Sequence, residues 1–405
     1  MKIKQELMYD LVIIGGGIVG LATAFKLKCK NSKLKIAILE KENKLAVHQT
    51  GHNSGVIHSG LYYKPGSFKA KNCLNGYHAL IEFCEQEEIP FDICGKIVVA
   101  TNKNQLPALQ NLYERGKQNG LKKLRLINAS ELKEIEPHVK GIQGIHVPQT
   151  GIIDYKIVAE KCAEKFQLLG GNIFLENKVE EIVGTSNSLE ITTNKQNLSA
   201  KKIINCAGLQ SDLIARLTGI KINYKIIPFR GEYYKLKKEK EYLVKHLIYP
   251  VPNPDFPFLG VHFTRMAQGG VEAGPNAVLA FRREGYKKSD IKLGELIEFL
   301  TYPGFRKLAV KYWKIGLGEI YRSLSKKAFS KALQELIPEI KENDLVTGGS
   351  GVRAQACDKD GGLIDDFLVT EGERFINVGN APSPAATASL AIGEQIAQLA
   401  LKKYN

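Results

Sequence analysis

One stretch near the start of the chain constrains the fold more than any other. Asp10-Leu-Val-Ile-Ile-Gly15-Gly-Gly17-Ile-Val-Gly20-Leu-Ala-Thr-Ala-Phe25 passes from an apolar strand pattern, through spaced glycines, into a helical pattern. In a G-x-G-x-x-G of this kind Gly15 allows the tight turn, Gly17 lets a pyrophosphate approach the backbone, and Gly20 lets helix and strand pack closely. The start of the helix then offers free N–H groups and the positive end of its dipole to phosphates. The next strand, Lys35–Leu39, closes on Glu40, an acid placed to accept hydrogen bonds from ribose hydroxyls and to disfavour a 2′-phosphate. The strand before, the helix after and the acid beyond make this a dinucleotide site.

The residues beyond Glu40 separate the dinucleotides. A nicotinamide-binding domain continues directly with further βα units. Here Glu40 and Lys41 lead into a His/Gly/Ser-rich loop at 48–60 and then a helix beginning near Pro65, an order that favours FAD. Residues 154–169 and 382–402 have helical periodicity, and 290–335 read as mostly helical. Segments 172–176, 201–206 and 374–378 resemble further strands of the first sheet. Segments 94–100, 222–236, 245–251 and 256–263 are rich in Val, Ile, Tyr and Phe, are broken by Pro, Gly and Asn, and read as strands of a second sheet. The expected fold is α/β, α+β overall. A discontinuous Rossmann-type FAD-binding domain (1–92, 150–220 and 341–405) carries an inserted antiparallel-sheet substrate domain (93–149 and 221–340).

Composition removes other classes. No run of 18 apolar residues occurs, which argues against a transmembrane helix. Seven cysteines, an odd number without a C-x-x-C, suit a reducing compartment and suggest neither a disulfide framework nor a metal site. The polar Met1–Asp10 argues against a secretory signal. Lys and Arg number 57 against 42 Asp and Glu, a formal charge of +15. Nucleic acid, an anionic membrane surface or an acidic substrate are the partners such a charge permits.

Longer motifs carry a family resemblance. His48-Gln-Thr-Gly-His-Asn-Ser-Gly-Val-Ile-His-Ser-Gly-Leu-Tyr-Tyr-Lys-Pro-Gly66 resembles the flavin-proximal loop of L-2-hydroxyglutarate oxidases and dehydrogenases, members of the amino-acid-oxidase-like FAD superfamily. The likeness continues through Arg230-Gly-Glu-Tyr-Tyr, Tyr249-Pro-Val-Pro-Asn-Pro, Pro257-Phe-Leu-Gly-Val-His-Phe-Thr-Arg, Gly274-Pro-Asn-Ala-Val-Leu-Ala, Gly351-Val-Arg-Ala-Gln-Ala and the segment from Asn380 to Gly393. Residues 285–340 support it least.

The resemblance implies oxidation of L-2-hydroxyglutarate to 2-oxoglutarate by hydride transfer to noncovalent FAD, with electrons passed to oxygen or a membrane quinone. It implies cofactor contacts at Lys41, at Thr50, His52, Asn53 and Ser54 of the loop, at the backbone of Val179 beside the adenine, and at Ala207 and Gly208. It also implies contacts at Pro382, Ser383, Ala385 and Thr387, ahead of a last helix whose N-terminus would stabilise negative charge on the flavin pyrimidine. His52 is the residue for a covalent link, as in some relatives.

L-2-hydroxyglutarate has a carboxylate at each end, so its site needs two cationic or strong donor anchors. Arg353 matches the superfamily's carboxylate-binding arginine, and a planar guanidinium grips a carboxylate bidentately where lysine cannot. The second anchor stays open among Tyr62, Tyr63, Lys64, Lys69, Arg230, Tyr249 and Arg265. The alcohol proton needs a base, and imidazole titrates in the right range, which makes His58 and His262 the candidates. Two other readings share these residues: an amine oxidase acting on glycine or sarcosine, and a non-catalytic flavin-binding subunit. Nucleic acid is not an expected partner. Between Tyr302 and Gly318 the basic residues Arg306, Lys307, Lys311 and Lys314 alternate with Phe305, Tyr312 and Trp313, a mixture suited to anionic headgroups. The expected location is the cytoplasm, with peripheral attachment to the inner face of its membrane.

Overall fold

The computed structural model describes residues 8–252 and 259–402. The first residues of the polar N-terminus, positions 256–258 of the segment expected as a strand, and the motif residues Asn253, Pro254, Pro257 and Phe258 lie outside that range.

The first sheet is built on the strand Met8–Ile14. It pairs in parallel with Asn197–Asn205 on one side and Ile36–Leu39 on the other, and Asn172–Phe174 extends the sheet beyond the latter. Phe375–Asn380 joins Asn197–Asn205 in parallel, and the hairpin Val179–Gly184/Leu189–Thr193 flanks the same strand. Leu11–Ile14 and Ile36–Leu39 are buried throughout, as parallel strands covered on both faces must be. The helices Ile18–Lys30, Tyr155–Leu168 and Ser389–Leu401 pack together over one face and close the largest core.

The second sheet has nine strands and is mixed. Its longest pair is Tyr224–Leu236 against Leu345–Asp358, with Phe229 opposite Arg353 and Gly231 opposite Gly351. By pattern alone, residues from 341 onward group with the first sheet. Hydrogen bonding instead places Leu345–Asp358 in the second, and its Gly348-Gly-Ser-Gly351 run masks the strand pattern. The last helix also starts later than its periodicity suggests, at Ser389, with Ala388 as its cap. Residues 382–388 form successive turns, because Ser383 precedes a proline and is held out of the helical region, and Pro384 has no N–H to give. Ser383 therefore caps no helix.

Strand register determines which side chains share a face. On one face of the second sheet Ile97, Val99, Ile248 and Phe263 pack on Phe329, Leu333 and Ile337. The opposite face carries Lys96, Val98, Leu247 and Tyr249, paired in parallel, and then His262, directly across from Tyr249. The same row runs on through Gly274 and Tyr233 to Gly231 and Arg353. This face is turned toward the loop Val56–Tyr62 of the first unit.

Candidate functional site

The dinucleotide end is assembled as the glycine spacing requires. Gly15 lies at φ +114°, and a side chain there would run into the Cys206 carbonyl of the neighbouring strand. The Gly16 N–H donates to Glu40 Oε2 at 2.7 Å, and the Glu42 N–H donates to Oε1 at 2.9 Å. Glu40 is thereby held rigidly beside the turn. Gly17 caps the helix with backbone only, and the first turn contains no acid. Thr50 Oγ accepts from the Ile18 N–H at 3.0 Å and ties the 48–60 loop to that helix start. A helix start with no acid in its first turn, beside a fixed carboxylate at the end of the next strand, fits the ADP half of FAD.

Other residues expected at the cofactor shape the loops around it. Asn53 folds its own loop, donating to Gln49 O at 3.2 Å and Thr50 O at 2.6 Å and accepting from the Gly55 N–H at 2.8 Å. Ser54 is half-buried beside it, and Val179 opens the hairpin strand, buried. Ala207 N–H donates to Asn205 Oδ1 at 3.0 Å, and Gly208 turns the chain with positive φ. Thr387 Oγ accepts the His58 N–H at 3.1 Å and meets the Tyr155 hydroxyl at 2.7 Å, which locks the turns containing Pro382 and Ala385 against the loop. His52 lies with Nδ1 3.0 Å from Ser350 O and its ring 4.3 Å from that of Tyr286. Lys41 pairs with Glu42 and, at 2.9 Å, with Glu284. His48 completes that cluster, and the ammonium of Lys41 already supplies the positive charge among its acids.

The substrate end lies on the sheet face traced above. His262 is buried; its Nδ1 stands 2.8 Å from the Gly260 carbonyl and its ring is 4.0 Å from that of Tyr249. A carbonyl only accepts, so Nδ1 carries the hydrogen and Nε2 keeps its lone pair. Burial, helped by the charges of Arg353 and Lys96, pushes the imidazole down to about 4. His58 has Nε2 3.3 Å from Ser383 Oγ. Burial, with Lys96, His262 and Lys69 nearby, holds it at about 3. The guanidinium of Arg353 fits over Gly231, where a Cβ would come within 3.2 and 3.3 Å of its two terminal nitrogens. Asp360, an acid near in sequence, is paired with Lys307, and Asp358 accepts N–H groups from its own loop. Tyr63 lies by Ser383, under the amine of Lys69 at 5.2 Å; that amine pairs with Asp365.

Two expected anchors lie elsewhere. Arg230 is opposite Val352, one residue out of phase with Arg353, and so faces away. It is buried, pairs with Glu232 at 3.0 Å and donates to the carbonyls of Gly285 and Lys287, which makes it a clamp on that loop. Arg265 pairs with Asp92 at 3.5 Å. Sequence reasoning missed Lys96, the first residue of the strand Lys96–Ala100, whose amine lies over the rings of Tyr62 at 4.5 Å and Tyr249 at 5.0 Å. A single lysine heading the apolar run Ile97-Val-Val-Ala100 was the signal available.

The comparisons agree with this geometry. Residues 10–399 match the model of the FAD dependent oxidoreductase family. An L-2-hydroxyglutarate dehydrogenase of Indibacter alkaliphilus is 62% identical over 397 residues, covering 98% of this chain and all of that protein. The mitochondrial L-2-hydroxyglutarate dehydrogenase of Homo sapiens is 46% identical, over 98% of this chain and 89% of its own. Among solved structures, the FAD-bound L-alpha-glycerophosphate oxidase of Mycoplasma pneumoniae superposes with a TM-score of 0.79 at 23% identity, covering 98% of this chain and 95% of its own. The glycine oxidase of Geobacillus kaustophilus superposes at 0.74 with 16% identity and the same coverage, so the fold is shared. The chain belongs to the FAD dependent oxidoreductase family and, within it, to the group of L-2-hydroxyglutarate dehydrogenases.

Proposed function

We propose that this protein oxidises L-2-hydroxyglutarate to 2-oxoglutarate. The observation that carries the reading is the sheet face on which a neutral imidazole, His262, stands in one row with Arg353 and two tyrosines, opposite the loop that ends the dinucleotide site. FAD, when bound, supplies the acceptor for the hydrogen and electron pair leaving C2. Gly15, Gly17, Gly20 and Glu40 would hold its pyrophosphate and ribose, the Val179 backbone its adenine, and the 48–60 loop with Pro382–Thr387 its ring. The engagement of His52 with Ser350 and Tyr286 supports noncovalent binding.

The chain's own residues then divide the work. Arg353 grips the carboxylate beside C2 through two parallel hydrogen bonds and fixes the C–H direction. His262 Nε2 takes the hydroxyl proton as the C2 hydrogen departs with its electron pair, leaving a ketone and an imidazolium. Gly260 O holds the Nδ1 hydrogen throughout and keeps the ring in the accepting tautomer. His58 shapes the pocket floor with Ser383. Incubation with the separate enantiomers is the test: the L form should yield 2-oxoglutarate without ammonia, and ammonia release from glycine or sarcosine instead would replace this reading with an amine oxidase.

We further propose attachment to the anionic inner face of the cytoplasmic membrane, where a quinone takes the electrons. Among the described residues no helix is long and apolar enough to cross a membrane. The helices Leu293–Thr301 and Pro303–Leu324 nevertheless expose Leu293 (70%), Val310 (75%), Trp313 (56%), Leu317 (58%) and Leu324 (74%). Arg306, Lys307, Lys311 and Lys314 are on the same pair of helices, which supports an amphipathic surface seated among anionic headgroups.

A further inference from the structure

Six cationic side chains are buried among the described residues, and five of them are answered. Lys28 donates to the carbonyls of Ser32 and Leu34, Lys69 pairs with Asp365, Lys225 with Glu298, Arg230 with Glu232 and Arg283 with Asp212. The sixth is Lys96. Lys96 is 1% exposed, yet among the described residues no carboxylate lies within 4.0 Å of its amine and no acceptor bonds it; the amine lies over the faces of two tyrosine rings. One of those rings belongs to Tyr62, whose hydroxyl is also buried without a hydrogen-bond partner among the described residues. A buried ammonium and a buried phenol, both unanswered and side by side, are two donors waiting for one acceptor.

We propose that Lys96, with Tyr62, anchors the substrate carboxylate remote from the reacting carbon, and so sets a preference for diacids over monoacids. The inference rests on the reading of the site as a 2-hydroxy acid oxidase and names its second anchor. Register supports it. Lys96 lies on the His262 face of the sheet, at the end opposite Arg353, and His262 stands between them and feels both charges. Five strand-to-strand steps of about 4.8 Å separate the two backbones by about 24 Å. Both side chains lean inward along that face, Lys96 over the Tyr249 ring and Arg353 over Gly231, and close much of that gap. A five-carbon diacid, with carboxylates about 5 Å apart when extended, bridges the remainder. A monocarboxylate held by Arg353 leaves Lys96 uncompensated. Burial already lowers the Lys96 ammonium to about 7, and an arriving anion would restore its charge.

The test uses FAD-loaded protein and two ligands that cannot be oxidised, glutarate and butyrate, read by perturbation of the flavin absorbance. Wild type should bind glutarate more tightly than butyrate. Lys96→Met should weaken glutarate roughly 10- to 150-fold, the range for a charged hydrogen bond, and leave butyrate within about threefold. Arg353→Met should weaken both. Thermal unfolding without ligand separates an anchor from a structural lysine: removing an unanswered buried cation should raise Tm, and removing a structural one should lower it. Tyr62→Phe provides an independent arm, with a loss of roughly 3- to 10-fold for glutarate alone. A wild type that binds glutarate no better than butyrate sinks the diacid reading itself. A wild type that prefers glutarate, with Lys96→Met and Tyr62→Phe keeping that preference, overturns the anchor and leaves the function standing.

Discussion

Replacing His262 by Gln tests the proton-transfer step on its own. The substitution keeps a side chain of similar reach beside the Tyr249 ring and can keep a donor toward Gly260 O, so packing and folding should change little. What it removes is the Nε2 lone pair. A positioned general base contributes about 10²- to 10⁴-fold, equivalent to roughly 3 to 5 kcal/mol of barrier. The rate of flavin bleaching by saturating L-2-hydroxyglutarate, measured anaerobically by stopped flow, should fall by that factor with the FAD content unchanged. His58→Gln should cost less than about tenfold. The pH dependence provides a second check. Burial and two nearby cations hold His262 at about 4, so the base is neutral across the physiological range. In the free enzyme, the acid limb of kcat/KM should lie near pH 4. In kcat the acid limb should lie higher, because the bound dianion favours the imidazolium. A His262→Gln variant that bleaches within tenfold of wild type, or a slow His58→Gln beside a fast His262→Gln, would refute the assignment.

Arg353→Lys should keep FAD yet lose about 30- to 1000-fold in kcat/KM, since a bidentate pair worth roughly 2 to 4 kcal/mol is broken; near-wild-type kinetics would remove Arg353 from the site. Lys96 carries a pH signature in stability. Its folded value of about 7 lies below the ordinary lysine value of 10.5, so between these the unfolded chain holds a proton that the native one has released, and native stability rises with pH across that window. Denaturant unfolding should therefore show Lys96→Met more stable than wild type below about pH 7, by as much as about 5 kcal/mol, with the gap closing toward pH 10.5; a gap independent of pH would contradict a buried, unanswered ammonium. In liposome flotation the protein should rise with anionic vesicles at low salt and stay behind at high salt, because four basic residues contribute roughly 4 kcal/mol before screening; no flotation at low salt would leave a soluble acceptor.

The dinucleotide turn was legible because its chemistry is local. Gly15, Gly17, Gly20 and Glu40 lie within one strand–helix–strand unit, and their spacing alone dictates the geometry. The substrate face was less legible because strand register makes it. Arg230 and Arg353 both sit in matching motifs, but a one-residue difference in phase between paired strands sends them to opposite faces. Leu345–Asp358 was hidden by its glycines and reveals itself only through its long partner strand. Lys96 reads as an edge residue until Leu247 pairs beside it and the loop at Tyr62 closes over it, both contacts from far away in sequence. The turns at 382–388 were readable in principle, since Ser383 precedes a proline, but helical periodicity beyond them drew the boundary too early.

Oxidation of L-2-hydroxyglutarate is tested most directly by mixing the purified yellow protein, without oxygen, with a panel of hydroxy and amino acids and watching the flavin absorbance. L-2-hydroxyglutarate should bleach the flavin and yield one 2-oxoglutarate per FAD, while the D enantiomer, glycine and sarcosine should leave it oxidised. Bleaching by an amino acid with release of ammonia, and none by L-2-hydroxyglutarate, would contradict the proposed function.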